Sequence, residues 1–410
     1  MKKYFLLFVA LVFIFSSCLD ETNTPDENKT IQLDEKSAQL IEADNKFGIE
    51  LFQKVVAYED EAENIMVSPL SVSLALAMTY NGANGETKTA MEETLKLYGL
   101  TTDEINQSYE SLVSALKSLD EKVLLEIANA IFYRDDFEVL EDFISVNQNY
   151  YGAEVSPLDF DDPGAVDVIN SWVADNTHDK IQTIIDRITG DQVMFLLNAI
   201  YFKGIWAKEF NPESTVPFPF YKEDGTEKMV DMMCRLDTLD YFENDFFKAI
   251  RLPYGMGNYN MYVFLPEEGK TSGNIIADCT HENWETWMEG FQETENIDIR
   301  LPKFNFKYEI KLNDVLSEMG MGIAFGGGAD FSGINPEGGL FIGFVKHKTF
   351  VDVNEEGTEA AAVTIVSIER LSAGPQNIPF YVNKPFVFAI TEKDTGAILF
   401  IGEVKNPEYN

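Results

Sequence analysis

Histidine, cysteine and acidic side chains could give this chain covalent or metal chemistry, but few of them are suitably spaced. The sequence contains three histidines, His178, His281 and His347. It has no His-Glu-x-x-His pair, no Cys-x-x-Cys pair and no Gly-x-Ser-x-Gly turn that would present a nucleophile. We therefore predict that the protein binds no metal and no cofactor and that it is not an enzyme.

Two short motifs imitate catalytic signatures. Asp394-Thr395-Gly396 resembles the signature of aspartic proteases, which need two such carboxylates, and the chain has one copy. The charged pair Glu392-Lys393 precedes it, so turn chemistry favours a β-hairpin. Gly269-Lys270-Thr271 imitates the end of a phosphate-binding loop, but Phe264 stands where that loop needs its first glycine. Neither motif predicts catalysis.

The segment from Asn354 to Pro379 has the character of a strand that could be either exposed or buried. It contains no proline between Glu356 and Ala373 that would remove a backbone donor. In a strand, every second side chain lies on the same face. One face of this segment would carry only uncharged residues, namely Thr358, Ala360, Ala362, Thr364, Val366 and Ile368. One face could therefore enter a core, although the acidic flank favours the surface in the state that folds first. A plain edge strand is the alternative.

Five separated motifs resemble those of the serpin family of protease inhibitors, and they occur in the family's order. The sequence EEGTEAAA resembles the reactive-loop hinge of inhibitory serpins, and NKPFVF resembles the strand that follows the loop. The other three are NIMVSPLS at 64–71, NAIYFKGIW at 198–206, and LPKF at 301–304 with residues 316–320. The resemblance covers about Asn45 to the C-terminus.

The resemblance implies an α+β fold with three β-sheets, about nine helices and an exposed loop that is bait for a protease. The protease forms an acyl-enzyme with this loop, which then inserts as an extra strand in the central sheet and distorts the protease. By similarity, the shutter, a polar cluster that lets the central strands part, comprises Ser68, Ser71, Asn198 and His347. The hinge by the same similarity comprises Glu355, Glu356, Gly357, Thr358, Glu359, Ala360, Ala361 and Ala362.

The family's usual spacing from Glu355 places the bait bond at Leu371-Ser372. Leucine there suits a serine protease with an apolar primary pocket, whereas cleavage at Arg370-Leu371 would suit a trypsin-like pocket and is the alternative. The fourteen residues from Thr358 to Leu371 would span about 46 Å as a strand, enough to cross a domain.

The same residues leave two alternative functions open. A papain-like cysteine protease is a possible target, because such enzymes also form acyl intermediates. A surface lipoprotein that uses the scaffold only to bind a partner is the other alternative, and the small uncharged hinge residues argue against it. A surface enzyme ranks third because no catalytic constellation is found.

Hydrophobic periodicity predicts the elements that position these residues. Val193 to Phe202 is apolar on both alternations except at Asn198, as expected of a strand covered on both faces. The pattern also predicts three helices, which contain residues 51–56, 70–78 and 166–172. Further strands are predicted at 350–353 and on either side of the turn at Asp394-Thr395-Gly396. No linker or repeat follows Asn45, so a single domain is predicted.

The N-terminus resembles the export signal of a bacterial lipoprotein. Lys2 and Lys3 precede an apolar run that is too short to span a bilayer and that ends in Ser16-Ser17-Cys18. We expect residues 1–17 to be removed, Cys18 to be acylated, residues 18–44 to form an acidic tether, and the domain to occupy 45–410. Acidic residues after Cys18 resemble surface-export signals, so we expect anchoring to the outer membrane, with display on the cell surface as a weaker inference.

Composition narrows the range of partners. The 410 residues include 31 basic and 69 acidic side chains, a formal net charge of -38, which opposes binding to nucleic acids and to anionic lipid surfaces. Three cysteines cannot build a disulfide framework, and the sequence leaves the state of Cys234 and Cys279 open. We expect a monomer whose partners are proteases and whose contact with the membrane is the N-terminal lipid alone.

Overall fold

The structure is a computed structural model that describes residues 29–59, 62–358 and 377–409. Over these residues the chain forms nine α-helices and fifteen β-strands. The helices are α1 (Glu35–Tyr58), α2 (Pro69–Tyr80), α3 (Gly85–Thr94), α4 (Thr102–Lys117), α5 (Glu141–Tyr151), α6 (Ala165–Asn176), α7 (Ser272–Asp278), α8 (His281–Gly290) and α9 (Asn313–Leu316). The strands are β1 (Asn64–Val67), β2 (Val123–Arg134), β3 (Glu154–Leu158), β4 (Met194–Ile205), β5 (Val216–Tyr221), β6 (Glu227–Glu243), β7 (Phe247–Tyr254), β8 (Tyr259–Pro266), β9 (Gln292–Pro302), β10 (Phe304–Lys311), β11 (Lys346–Val353), β12 (Gly357–Thr358), β13 (Ile378–Tyr381), β14 (Phe386–Glu392) and β15 (Ile398–Val404).

Two hydrogen-bonded sheets carry the fold. The first has six strands in the order β10-β11-β12-β4-β2-β3, and the second has nine, in the order β1-β15-β14-β8-β7-β6-β9-β13 with β5 beside β6. The long strand β6 pairs with β5 and β9 over most of its length and with β7 at its C-terminal end. The resemblance implies three sheets, whereas over the described residues the strands join into two, because β6 pairs with β5, β7 and β9 in one sheet. The α+β class is confirmed.

The predicted elements around the site are present. Pro69 opens α2, and the Ser68 side chain caps it by accepting a hydrogen bond from the backbone of Ser71. Helix α2 is buried along nearly its whole length, and it packs against β4, α1 and β15, as expected of a helix without a polar face. The predicted doubly covered strand is β4, and the predicted helix at 166–172 lies within α6.

The predicted C-terminal hairpin is formed by β14 and β15. The carboxylate of Glu392 accepts hydrogen bonds from the backbone of Asp394 and of Thr395, which closes the turn. Asp394 also accepts a hydrogen bond from the backbone of Ile31, at 3.0 Å. The motif that imitates an aspartic protease is therefore a hairpin turn, and its carboxylate holds the N-terminal segment.

Helix α1 begins before the predicted domain boundary. Residues 35–44 were expected to belong to the tether, yet they form the first turns of α1. The helix is capped by Asp34, whose side chain accepts a hydrogen bond from the backbone of Ser37 at 2.8 Å. Leu40 and Ile41 are buried in the core, which explains why this part of the chain folds with the domain. Helix α1 therefore belongs to the domain from Glu35 onward, ten residues before the predicted boundary at Asn45.

The side chains that could bind metals or form disulfides are separate from one another. Cys234 and Cys279 are both free thiols. Cys279 is buried, and burial raises the pKa of its thiol to about 12. Over the described ranges, no three or more His, Cys, Asp and Glu side chains are grouped so that they could hold a metal ion.

None of the helices described here is both long enough and apolar enough to cross a membrane. The predicted signal at 1–17 and the predicted lipid attachment at Cys18 lie outside the described residues. The N-terminal segment that is described starts at Lys29, whose carbonyl accepts a hydrogen bond from Asn258. It therefore lies against the turn between β7 and β8.

Candidate functional site: the hinge turn and the groove

The chain reverses direction at residues 354–357, between β11 and β12, and we call this segment the hinge turn. The backbone of Asn354 donates a hydrogen bond to the carbonyl of Gly357, at 2.9 Å. The Asn354 side-chain oxygen accepts from the backbone of Glu356 at 3.0 Å and from that of Gly357 at 3.4 Å. A single asparagine thus organises the turn from both its backbone and its side chain.

The hinge turn leads into a strand position in the middle of the six-stranded sheet. Gly357 lies opposite Ile205 of β4, and Thr358 lies between Gly204 of β4 and Val353 of β11. A Cβ atom on Gly357 would lie 2.1 Å from the carbonyl oxygen of Gly204, well inside van der Waals contact. Only glycine allows the backbone to approach β4 this closely.

Thr358 has a polar partner inside the core. Its side chain is 4% exposed, and its hydroxyl lies 2.7 Å from the hydroxyl of Tyr254. Burial raises the pKa of Tyr254, so its phenol stays neutral and can donate or accept. The Tyr254 ring stacks on Trp206 with 4.4 Å between centroids, and the Trp206 indole donates to the carbonyl of Asn354 at 2.9 Å. The buried hydroxyl of Thr358, at the start of the strand, therefore has a hydrogen-bond partner in the core.

Glu355 is tied to two neighbouring side chains. Its carboxylate accepts a hydrogen bond from the Thr215 hydroxyl at 2.7 Å and forms an ion pair with Lys303 at 3.0 Å. Burial by itself would raise the pKa of Glu355, but the hydrogen bonds from Thr215 and Lys303 outweigh it and lower the pKa. Glu355 is therefore charged and held in place.

Glu356 has the opposite environment. It is buried, and one carboxylate oxygen has no hydrogen-bond partner in the described part of the chain. Burial raises its pKa, and the charges of Glu209 and Glu355 add to this effect. The backbone of this residue is well held, since its carbonyl accepts from the backbone of Trp206 at 2.7 Å. The hinge turn is thus fixed through its backbone and through Glu355.

Beyond Thr358, strands β4 and β11 flank a groove. In the described residues these two strands pair with β12 and with their outer neighbours, but not with each other. A cavity of about 270 Å³ lies between them, lined by Leu196, Asn198, Ile200, Phe344 and His347 among others. A smaller cavity, lined by Ile200, Phe350 and Thr358, continues toward the hinge turn. In the described residues, the strand position between β4 and β11 is therefore filled only by Gly357 and Thr358.

Three of the four predicted shutter residues meet at one wall of the groove. The imidazole Nε2 of His347 accepts a hydrogen bond from the backbone of Ser68 at 3.0 Å, and the Ser68 hydroxyl accepts from the backbone of Ser71 at 3.3 Å. All three residues are buried. Burial lowers the pKa of His347 to about 4, so the ring is neutral and acts as an acceptor at neutral pH.

The fourth predicted shutter residue, Asn198, lies on the other wall. Its amide nitrogen donates to the side chain of Asn129 on β2 at 2.8 Å, and Asn129 donates to the carbonyl of Tyr151 at 2.8 Å. The side-chain oxygen of Asn198 has no partner among the described residues. The structure therefore divides the predicted cluster between the two walls, and Ser71, Asn198 and His347 all line the groove.

Sequence reasoning missed the partners that hold the hinge turn and Asn198. Thr215, Tyr254 and Asn129 carry no signal that would connect them to these residues, because they come from distant elements. Lys303 and Trp206 do lie inside two of the motifs that resemble the family, LPKF and NAIYFKGIW, so a role for them could have been suspected.

The remaining predicted site residues lie outside the described part of the chain. They comprise the second half of the hinge, the residues of the two alternative bait bonds and the lipid-attachment cysteine. In sequence order these are Cys18, Glu359, Ala360, Ala361, Ala362, Arg370, Leu371 and Ser372. Their assignments remain predictions from the sequence.

Comparison with known proteins places the chain in a family. The family model described as "Serpin (serine protease inhibitor)" matches residues 42–407. A serpin-like protein of Methanosarcina acetivorans is 36% identical over 90% of this chain and 86% of its own length, and Serpin A3-6 of Bos taurus is 34% identical over 95% and 94%. The structure is similar to the native state of tengpin, a thermophilic serpin, with a TM-score of 0.82 and 33% identity over 92% of this chain and 96% of that one. The chain therefore belongs to the serpin family.

Proposed function

We propose that this serpin inhibits serine proteases as a suicide substrate, by inserting its reactive loop into the groove between β4 and β11, and that it is not an enzyme. The observation that carries this proposal is the position of β12. Gly357 and Thr358 already occupy the first two places of a strand between β4 and β11. The groove continues from that point, and over the described residues β4 and β11 do not pair with each other along it. Insertion would extend a strand that has already begun.

The observed register predicts which loop residue would meet the shutter. In an antiparallel pair, each step forward on one strand is a step back on the other. Six residues beyond Thr358 is Thr364, six before Gly204 is Asn198, and six before Val353 is His347. An inserted strand in this register would place Thr364 between the two walls of the shutter, where its hydroxyl could pair with the unpartnered oxygen of Asn198.

In the same register, the proposed bait bond would lie beyond the end of the sheet. Ten residues beyond Thr358 is Ile368, and ten before Gly204 is Met194, the first residue of β4. Leu371 lies three residues further along, past the end of the strand. A protease attached at Leu371 would therefore be carried from the hinge end of the sheet to its opposite end.

The free energy for this movement would come from the groove. Each backbone hydrogen bond that the inserted strand makes with β4 or β11 contributes roughly 1 kcal/mol. The residues that would face the core, which alternate from Thr358 to Ile368, carry no charge, so no ion has to be buried unpaired. Covalent attachment follows from protease chemistry: the serine oxygen forms an ester with the Leu371 carbonyl carbon, and the nitrogen of Ser372 leaves with a proton. Insertion would then outpace hydrolysis of that ester.

The direct test mixes the mature protein with chymotrypsin-like, elastase-like and trypsin-like serine proteases. We expect a covalent complex that survives denaturation, with cleavage after Leu371 for proteases that have an apolar pocket. Cleavage after Arg370 by the trypsin-like enzyme would support the alternative bait bond. Cleavage of the loop by all three without any covalent complex would contradict the inhibitory function.

A pair of loop variants tests the insertion step separately. Thr364→Arg would bring a charge into the core between Asn198 and His347, so we expect the loop to be cleaved and the protease to go free. Ser367→Arg is the matched control, because it lies on the opposite face of the inserted strand and should still trap the protease. Equal trapping by both variants would show that the loop does not insert in the predicted register.

We also infer that the protein is exported and anchored by a lipid on Cys18. The N-terminal sequence supports this, and because α1 begins at Glu35, the segment after Cys18 would be a shorter tether than the sequence suggested. We expect Cys18→Ala to abolish incorporation of a labelled fatty acid and to release the protein from the membrane fraction. Digestion of intact cells with an added protease would separate surface display from the periplasmic face. An unlabelled wild-type chain would contradict the inference.

A further inference from the structure

The last described residues, Asn406 to Tyr409, form a tail that lies against the hinge turn. The Tyr409 ring covers the ammonium of Lys303, with 4.2 Å between Nζ and the ring centroid. Lys303 is the cation that pairs with Glu355 at 3.0 Å. The ring therefore covers one side of the ammonium group while the Glu355 carboxylate pairs with it. Tyr409 contacts the hinge turn indirectly through this lysine.

Tyr409 also contacts the hinge turn directly. The side-chain amide of Asn354 donates a long hydrogen bond, 3.4 Å, to the Tyr409 hydroxyl. Asn354 is the residue whose oxygen accepts from the backbone of Glu356 and Gly357 and so organises the turn. The same amide also donates to Asp352 at 3.4 Å, so the hydroxyl is one of two acceptors that orient it. The Tyr409 side chain thus touches Asn354 and the lysine that pairs with Glu355.

The tail itself is anchored to elements outside the hinge. The carbonyl of Glu408 accepts a hydrogen bond from the backbone of Asn305 at 2.7 Å, and its carboxylate pairs with Lys228 at 2.7 Å. This pairing with Lys228 lowers the pKa of Glu408, so the carboxylate is charged. The Asn406 amide donates to Glu63 at 2.7 Å. Tyr409 therefore sits on a fixed support rather than on a free chain end.

We propose that Tyr409 is a positioning residue that holds the hinge turn in the conformation from which the loop inserts. This inference rests on the proposed inhibitory function. Without the ring, Lys303 and Asn354 would have more freedom, and the turn would present Gly357 and Thr358 to the sheet less often. Insertion would slow while cleavage of the loop would not, so more acyl-enzyme would be hydrolysed before it is trapped.

The test compares Tyr409→Ala and Tyr409→Phe with the wild type, using a protease that the wild type traps. The readouts are the rate of association with the protease and the number of inhibitor molecules consumed for each protease trapped. For Tyr409→Ala we expect that number to rise about two- to fivefold, as a lost cation–π contact at a partly exposed site predicts. The association rate should stay unchanged. Tyr409→Phe keeps the ring and should recover most of the wild-type ratio.

Tyr98→Ala is the matched control, because Tyr98 is also an exposed tyrosine and lies far from the hinge in the connection between α3 and α4. It should leave both readouts at wild-type values. A wild-type ratio in Tyr409→Ala would overturn the proposal. An equal loss in Tyr409→Ala and Tyr98→Ala would also overturn it, because that result would indicate a general loss of stability.

Hydrogen exchange without any protease separates this inference from the proposed function. We expect the amides of Glu356 and Gly357 to exchange faster in Tyr409→Ala than in the wild type and Tyr409→Phe. If the wild type trapped no protease, the inhibitory function would fail, and faster exchange in Tyr409→Ala would still support the positioning role. Unchanged exchange would overturn the positioning role whether or not the protein inhibits.

Discussion

The two ends of the space between β4 and β11 differ in whether a strand fills it. At the hinge end, Thr358 bonds to Tyr254, Glu355 is held by two partners, and the strand β12 fills the gap. In the groove, the strand edges do not pair with each other and the Asn198 oxygen has no partner in the described residues. The same pair of strands is thus complete at one end and incomplete at the other.

This contrast indicates where the free energy for a conformational change would be stored. Two strands that face each other across a gap can each form backbone hydrogen bonds with a strand added between them, and those bonds would contribute free energy. At the hinge end, the pairing of Gly357 and Thr358 with β4 and β11 fixes the register in which that strand would begin. If a strand already filled the space between β4 and β11, insertion would form no new hydrogen bonds. If no residues were already paired at the hinge end, an inserted strand could adopt several registers.

The largest effect should come from a substitution that keeps the hinge turn from bringing Thr358 into the sheet. Gly357→Ala would place a Cβ atom 2.1 Å from the Gly204 carbonyl oxygen, so the hinge turn could not bring Thr358 into the sheet. We expect covalent trapping to fall at least about tenfold while the loop is still cleaved, since removing a clash of this kind requires backbone movement that costs more than about 1.4 kcal/mol. Gly327→Ala is the control, because in the described part of the chain no atom beyond its sequence neighbours lies within 4 Å of its added Cβ. Wild-type trapping by Gly357→Ala would contradict the tight approach.

Protonation of His347 should weaken the wall of the groove. Burial lowers the pKa of this histidine from 6.5 to about 4, so the unfolded chain binds the proton more readily than the folded one. The free energy of unfolding should therefore fall as the pH falls from about 6.5 toward 4, by up to about 3 kcal/mol for a shift of this size. Denaturant titrations at several pH values would measure it.

His347→Gln provides the comparison at each pH. The variant cannot take up the proton, so its unfolding free energy should fall less between pH 7 and pH 4.5 than that of the wild type. The comparison is needed because the buried carboxyl of Asp44, whose pKa burial raises to about 7, favours folding as the pH falls. Parallel pH profiles for the two proteins would show that His347 does not titrate as described.

Removing the cation from the hinge should have an intermediate effect. Lys303→Met keeps the length of the side chain but leaves Glu355 with Thr215 as its remaining side-chain partner. We expect a loss of about 2 kcal/mol in the free energy of unfolding, typical of a hydrogen bond to a charged group. Lys307→Met, at an exposed position of β10, should change stability far less. Equal losses for the two variants would mean that the ion pair contributes nothing specific.

The smallest effect should come from the hydroxyl pair at Thr358. Thr358→Val keeps the shape of the side chain but leaves the buried Tyr254 hydroxyl without its partner. We expect a loss of about 1 kcal/mol in the free energy of unfolding. The double variant Thr358→Val with Tyr254→Phe should lose less than the sum of the single variants, because neither hydroxyl is then stranded. Strict additivity would indicate that the two hydroxyls do not interact.

The helices and strands that could be predicted from local sequence are those with the strongest capping or hydrophobic patterns. Ser68-Pro69 and the apolar run after them predict the start of α2, and the apolar run with a single asparagine predicts β4. The N-terminal boundary was misplaced because the acidic residues near Glu35 suggested a tether, whereas the burial of Leu40 and Ile41 decides that α1 belongs to the domain. Local composition could not show what those two residues would pack against.

By itself, the sequence determined the family, through five motifs in order, and the loop that could enter a sheet, through alternating uncharged residues. It also identified Gly357 and Thr358 as the start of that loop. The tertiary structure decided what receives them: the incomplete strand position between β4 and β11, the stacked pair Tyr254 and Trp206, and the separation of Asn198 from His347. Thr358 and Asn354 lie 104 and 148 positions from their partners Tyr254 and Trp206, and no local pattern of residue types specifies which distant side chains will meet.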